Sequence, residues 1–121
     1  MAATNQIASI HAADYRELEV TVRDPNGNAV TPQGLTAIYK VSRNLSSGNA
    51  LIIKTVGDGI TLETTGEDET MLIRIVLNPS DTAEVRPGRY YHEIEVKDGS
   101  NRPFTVLTGE LHITGTLIKS L

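Results

Sequence analysis

Apolar and polar residues alternate along most of this chain. In Tyr15–Arg23, Leu18, Val20 and Val22 take one face and Glu17, Glu19, Thr21 and Arg23 the other, a half-buried strand by its period of two. The same alternation predicts strands near Thr36–Ser42, Ala50–Val56, Ile60–Glu63, Met71–Leu77, Arg89–Lys97 and Pro103–Thr114. In Ala50–Val56, Leu51 and Ile53 oppose Ile52 and Lys54, and both faces carry apolar residues. Met71–Leu77 is apolar on both faces apart from Arg74, which predicts a central strand. The Thr108-Gly109 junction inside the last segment predicts a bulge there.

Turn chemistry separates the segments. Asp24-Pro25-Asn26-Gly27, Gly57-Asp58-Gly59, Gly66-Glu67-Asp68-Glu69 and Asp98-Gly99 interrupt the alternation, because Pro presets φ and Gly accepts positive φ. Ser80–Val85 predicts one helical turn with Ser80 as its cap. Pro87-Gly88 launches the sixth strand, with a positive φ expected at Gly88.

About seven short strands with turns between them predict an all-β fold, an immunoglobulin-like antiparallel β-sandwich over residues 15–114. A closed barrel is the alternative. Short arms are expected at 1–14 and 115–121. The expected core includes Leu18, Val20, Val22, Tyr39, Ile73, Ile75, Tyr90, Ile94 and Val96.

Composition sharpens this picture by exclusion. The 121 residues include 9 Val, 11 Ile and 14 Thr, side chains that suit a pleated surface and lose rotamer freedom in helices. With no Cys there is neither a disulfide scaffold nor a thiolate metal site. A net charge of −4 argues against nucleic acid as a partner, as do a single Phe and no Trp for base stacking. No apolar run approaches the roughly 20 residues of a membrane span, so no membrane partner is expected.

The order of several short motifs carries a resemblance. Asp24-Pro25-Asn26-Gly27, Gly34-Leu35-Thr36, Gly59-Ile60-Thr61, Asn78-Pro79-Ser80-Asp81-Thr82-Ala83, Pro87-Gly88-Arg89-Tyr90 and Asp98-Gly99 follow one another between Tyr15 and Thr114. This order resembles the small immunoglobulin-like domains of tailed-phage and prophage structural proteins, including the N-terminal domain of siphophage upper baseplate proteins. The resemblance implies a non-enzymatic virion structural protein, made in the bacterial host cytoplasm and placed in the tail or baseplate. Its implied partners are other virion structural proteins, in a homo-oligomer or multi-copy assembly. A capsid decoration or cement protein is the alternative placement. A stand-alone carbohydrate- or host-protein-binding module is a further alternative, for which Tyr91 would have to serve as the stacking platform.

Candidate chemistry is sparse, and no catalytic residue, cofactor or metal is expected. Glu93 and Glu95 share one strand face, the face expected to meet water. His11, His92 and His112 have no metal-ligand spacing, and His92 falls on an inward face between Tyr90 and Ile94. Asp24, Asn26 and Asn28 begin a calcium-loop pattern that Ala29 breaks, since the sharp turn there needs Gly. The Glu67–Glu69 loop is acidic and expected to be solvated. The ends are the more informative feature: Ile7 and Ile10 precede the first predicted strand, and Leu117, Ile118 and Leu121 follow the last. Five such side chains left in water forfeit about 1.5–3 kcal/mol each in transfer free energy. They are therefore expected either to dock on a neighbouring subunit or to fold back over a sheet edge.

Overall fold

The alternating segments pair because each buries one apolar row while its backbone groups satisfy one another. The computed structural model describes residues 8–23, 26–28, 30–44, 50–65 and 70–115. It contains β1 (Ala8–His11), β2 (Arg16–Val22), β3 (Thr36–Ser42), β4 (Ile52–Val56), β5 (Gly59–Thr65), β6 (Thr70–Leu77), α1 (Pro79–Thr82), β7 (Gly88–Lys97) and β8 (Pro103–Thr114). Hydrogen bonds link the strands in the order β1-β8-β7-β3-β4-β5-β6-β2.

The β4–β5 link is short, with only Thr55↔Gly59 and Val56↔Ile60 paired, in parallel. It divides the strands into a β1-β8-β7-β3-β4 group and a β5-β6-β2 group, whose buried residues form one core. This is the strand order of an immunoglobulin-like sandwich, with the fourth strand added beside the third as in variable-type domains. A second hallmark lies at the corner between β6 and β7. There the Tyr90 hydroxyl donates to the Arg86 carbonyl four residues upstream, the tyrosine corner of this architecture.

Met71, Ile73, Ile75 and Leu77 on β6 are fully buried, as are Tyr39 and Val41 on β3 and Ile94 and Val96 on β7. Leu18 and Val20, expected in the core, are only half-buried against it. Among the described residues their strand β2 hydrogen-bonds on one side only, to β6, so water reaches them along the open edge.

Three further details differ from the sequence reading. An eighth strand, β1, falls within the stretch expected to be an arm, and it pairs in parallel with β8 through Ile10↔Ile113 and its neighbours. The segment Ala-Ser-Ile-His carries a single buried apolar residue, too little alternation to register as a strand. The helical turn begins one residue after Asn78 rather than after Ser80, because Pro79 suits the first helical position. The Asp81 carboxylate accepts the Asn78 N–H at 2.7 Å. The bulge in β8 sits at Val106, between Ile94↔Leu107 and Glu95↔Thr105, whereas Gly109 stays paired with His92. Val106 and Leu107 are buried in succession, and that repeat is where the phase shifts.

Candidate interaction surface

The two outward faces of the sandwich differ in how their charges are satisfied. On the β5-β6-β2 face, β-pairing sets Arg74 of β6 opposite Glu19 of β2 and Thr61 of β5. The guanidinium lies 3.2 Å from Glu17, 3.0 Å from Glu19 and 2.9 Å from Glu63. These carboxylates, Glu63 foremost, raise the Arg74 pKa above its ordinary value. Tyr15 closes the group by donating to Glu17 at 2.6 Å. Every charged side chain of this cluster is ion-paired within one copy, with three carboxylates sharing one guanidinium.

The β4-β3-β7-β8 face is paired only in part, at Glu110 and His112 of β8, 2.9 Å apart. Its outward residues stand in rows fixed by register: Ile53, Lys40, Glu93 and Thr108 in one, Thr55, Ile38, Glu95 and Thr105 in the next, Thr36 and Lys97 beyond. Among the described residues, no ion pair engages Lys40, Glu93, Glu95 or Lys97. A shallow groove of about 480 Å³ crosses this face, lined by Ile38, Lys40, Thr55, Glu93, Glu95 and Lys97 among others. Ile53 is 53% exposed and Tyr91 37%, both on this side of the sheet. Unpaired charges of both signs beside exposed apolar groups are the composition of a contact surface.

A second concavity, about 350 Å³, lies between β2 on one side and β1 and β8 on the other. Leu18, Val20, Ile75, Ile94 and Leu107 line it, together with the paired rings of Tyr39 and His92. The Tyr39 hydroxyl and His92 Nδ1 are 3.0 Å apart, and the rings meet edge to face with centroids 5.8 Å apart. Burial raises the Tyr39 pKa well above the ordinary phenol value, which keeps the hydroxyl protonated. His92 is thus held in the core by a hydrogen bond, as its inward position implies.

The residues expected to mediate partner contacts separate sharply. Ile10 is 3% exposed and packed in the core of its own domain, so it is unavailable to a partner. The strand around it is tied down further: Ala12 N–H donates to the Thr114 carbonyl at 2.8 Å and Ala13 N–H to Thr82 Oγ1 at 2.9 Å. Ile7, Leu117, Ile118 and Leu121 lie outside the described residues, as does the Glu67–Glu69 loop. Glu93 and Glu95 lie on the outer face, where the alternation put them. The contrast between the two faces had no sequence signal, because it depends on which strands lie side by side.

One further charge sits inside. Lys54, on the inward row of β4, is buried and pairs with Asp81 of α1 at 2.8 Å. Ile53 and Thr55 are the exposed row of that strand, and Leu51 just before it is exposed too. Among the described residues no group of three or more His, Asp or Glu side chains is arranged to hold a metal ion.

No protein-family model matches the chain, and no curated protein matches it. Among solved structures, the chain is similar to one from a structure-based photo-crosslinking study of the multimeric cell-adhesive interactions of VGSC beta subunits. That similarity has 20% identity over 91% of this chain and 92% of the other, with a TM-score of 0.43. It is also similar to AggA, the major subunit of aggregative adherence fimbriae type I from Escherichia coli. There the identity is 10% over 96% of this chain and 99% of the other, with a TM-score of 0.36. Strand order and the tyrosine corner, rather than these likenesses, define the fold as immunoglobulin-like.

Proposed function

We propose that this protein is a non-enzymatic structural subunit that works by surface contact within a multi-copy assembly. The observation that supports this reading is the unequal pair of faces. One carries the ion-paired Arg74 cluster, and the other leaves Lys40, Glu93, Glu95 and Lys97 without an ion pair among the described residues, beside exposed Ile53 and Tyr91. A surface of that kind gains its partners' charges and loses apolar exposure when covered. The proposed setting is the virion of a tailed phage, in the tail or baseplate or alternatively on the capsid exterior. The order of turn and strand motifs from Asp24 to Gly99 supports that setting.

Electron microscopy of particles assembled with Ile53→Asp/Tyr91→Asp in place of the wild-type chain tests both parts. The expected result is loss of this subunit's density, with Thr61→Ser on the opposite face incorporated normally. Normal incorporation of the double variant overturns the contact surface, and particles that never contain the wild-type chain overturn the virion setting.

A further inference from the structure

We infer that the partner covering the β4-β3-β7-β8 face is a second copy of this chain, joined through reciprocal Lys40–Glu93 pairs about a two-fold axis. The inference rests on the contact surface proposed above and names its occupant. Lys40 on β3 and Glu93 on β7 are register partners on adjacent strands and point outward together. Among the described residues of one copy they form no ion pair, although they sit side by side.

The arrangement is self-complementary in one orientation. A two-fold axis running along the strands, midway between β3 and β7, lays β3 of each copy over β7 of the other at the same height. Lys40 of each copy then faces Glu93 of the other, so two opposite-charge pairs form at once. Ile53 and Thr108, which flank that row, come together in the same step. An axis across the strands through this region instead sets Glu93 or Glu95 against Glu95, a like-charge contact that costs free energy. Of the two orientations only the first pairs Lys40 with Glu93 and sets no like charges opposite each other, with Glu95 facing Ile38 and Lys97 facing Thr36, and an isologous pair of this kind closes on itself rather than growing into a filament.

The size of the surface sets its strength. Four strands at about 4.8 Å spacing and six or seven residues at about 3.3 Å make a face of roughly 20 by 20 Å. At roughly 400 Å² per copy, or about 800 Å² in total, it lies below the range of stable interfaces and among weak, transient ones. The dimer is therefore weak and transient. Many weak copies held in one assembly reinforce one another.

Sedimentation velocity on the purified chain from about 10 µM to 1 mM, with charge-swap variants, tests this. Wild type is expected to dimerise with concentration and to dissociate as salt is raised, because the pairs are solvent-accessible. Lys40→Glu and Glu93→Lys are each expected to weaken dimerisation at least tenfold. An equimolar mixture of the two, and the double variant Lys40→Glu/Glu93→Lys, are expected to recover it. A wild-type chain that stays monomeric at 1 mM, or a swap that fails to recover the dimer, overturns the inference. Both variants lie on an exposed face, and an unchanged circular-dichroism melt confirms that they fold. Failure here, with Ile53→Asp/Tyr91→Asp still excluded from particles, leaves the contact surface in place with a different partner. Normal incorporation of that double variant removes the surface itself.

Discussion

The Lys54 ammonium of β4 lies 2.8 Å from the Asp81 carboxylate of α1, with 10% and 21% of the two side chains exposed. The pair ties the edge of one half of the sandwich to the corner that follows β6. The same Asp81 oxygen accepts the Asn78 N–H, so one carboxylate serves both a cap and a cross-sandwich tie. The Lys54 stem packs so closely on Gly59 that a Cβ there would lie 2.4 Å from Lys54 Cδ. Gly59 also has φ +100°, so the backbone at the β4–β5 corner is shaped around this lysine.

Because a lone buried charge costs more than a missing pair, the two single variants are expected to differ. Asp81→Asn keeps an oxygen for Asn78 and strands the Lys54 ammonium, which should cost about 1–2 kcal/mol after allowance for partial exposure. Lys54→Met keeps the apolar stem and leaves the more exposed Asp81 able to hydrate, at about half that cost. The double variant should be less destabilised than the sum of the two. Urea midpoints of the four proteins measure this, and equal, additive losses would show that the pair is not coupled.

Tyr90 makes a separate contribution at the opposite end of the same corner. Its ring is buried in the core and its hydroxyl donates to the Arg86 carbonyl, while Arg43 lies 5.9 Å over its ring. Tyr90→Phe preserves the ring and removes only the hydrogen bond, leaving the Arg86 carbonyl without its donor. The expected loss is about 1–2 kcal/mol in urea unfolding, with no change in m-value because the buried surface is nearly the same. A loss below about 0.3 kcal/mol would mean that water replaces the hydroxyl at no cost.

The sequence made some of this legible for physical reasons that other parts lack. β6 was readable because Met71, Ile73, Ile75 and Leu77 alternate without interruption, and all four are buried. Gly88 was readable as a positive-φ position, and φ is +154°, because a glycine after a turn proline adopts such a φ without a Cβ clash. Lys54 was not readable as an inward residue: both rows of β4 carry apolar groups, and its counter-charge comes from Asp81, 27 positions away. The short strand β1 was missed because parallel pairing with β8 is a tertiary event with one buried anchor, Ile10. The candidate surface was half legible. Alternation set Glu93 and Glu95 in water, but only the β3–β7 pairing brought Lys40 beside them.

The β7–β8 loop gives a pH-dependent prediction. Asp98 Oδ1 accepts the N–H groups of Ser100 at 2.9 Å and Arg102 at 3.0 Å, and its other oxygen meets Arg102 Nε at 2.9 Å. The Arg102 backbone bond is the largest cause holding the Asp98 pKa below its ordinary value of 3.8, with the Ser100 bond and the guanidinium adding to it. A carboxyl whose folded pKa is depressed stabilises the loop fully above the unfolded value, and that contribution is lost as pH falls through the folded one. Asn101, at φ +65°, sits in the middle of this loop and depends on the same clamp. Hydrogen-exchange protection of the Ser100 and Arg102 amides is therefore expected to be constant from pH 7 to about 5. It should collapse below the ordinary carboxylate range while β6 stays protected. Asp98→Asn keeps an acceptor but no charge, so its protection should be lower at neutral pH and flat through the acid range. Wild-type protection that survives full protonation of the carboxylates would show that the backbone bond from Asn101 to Asp98 holds the loop without the side chain.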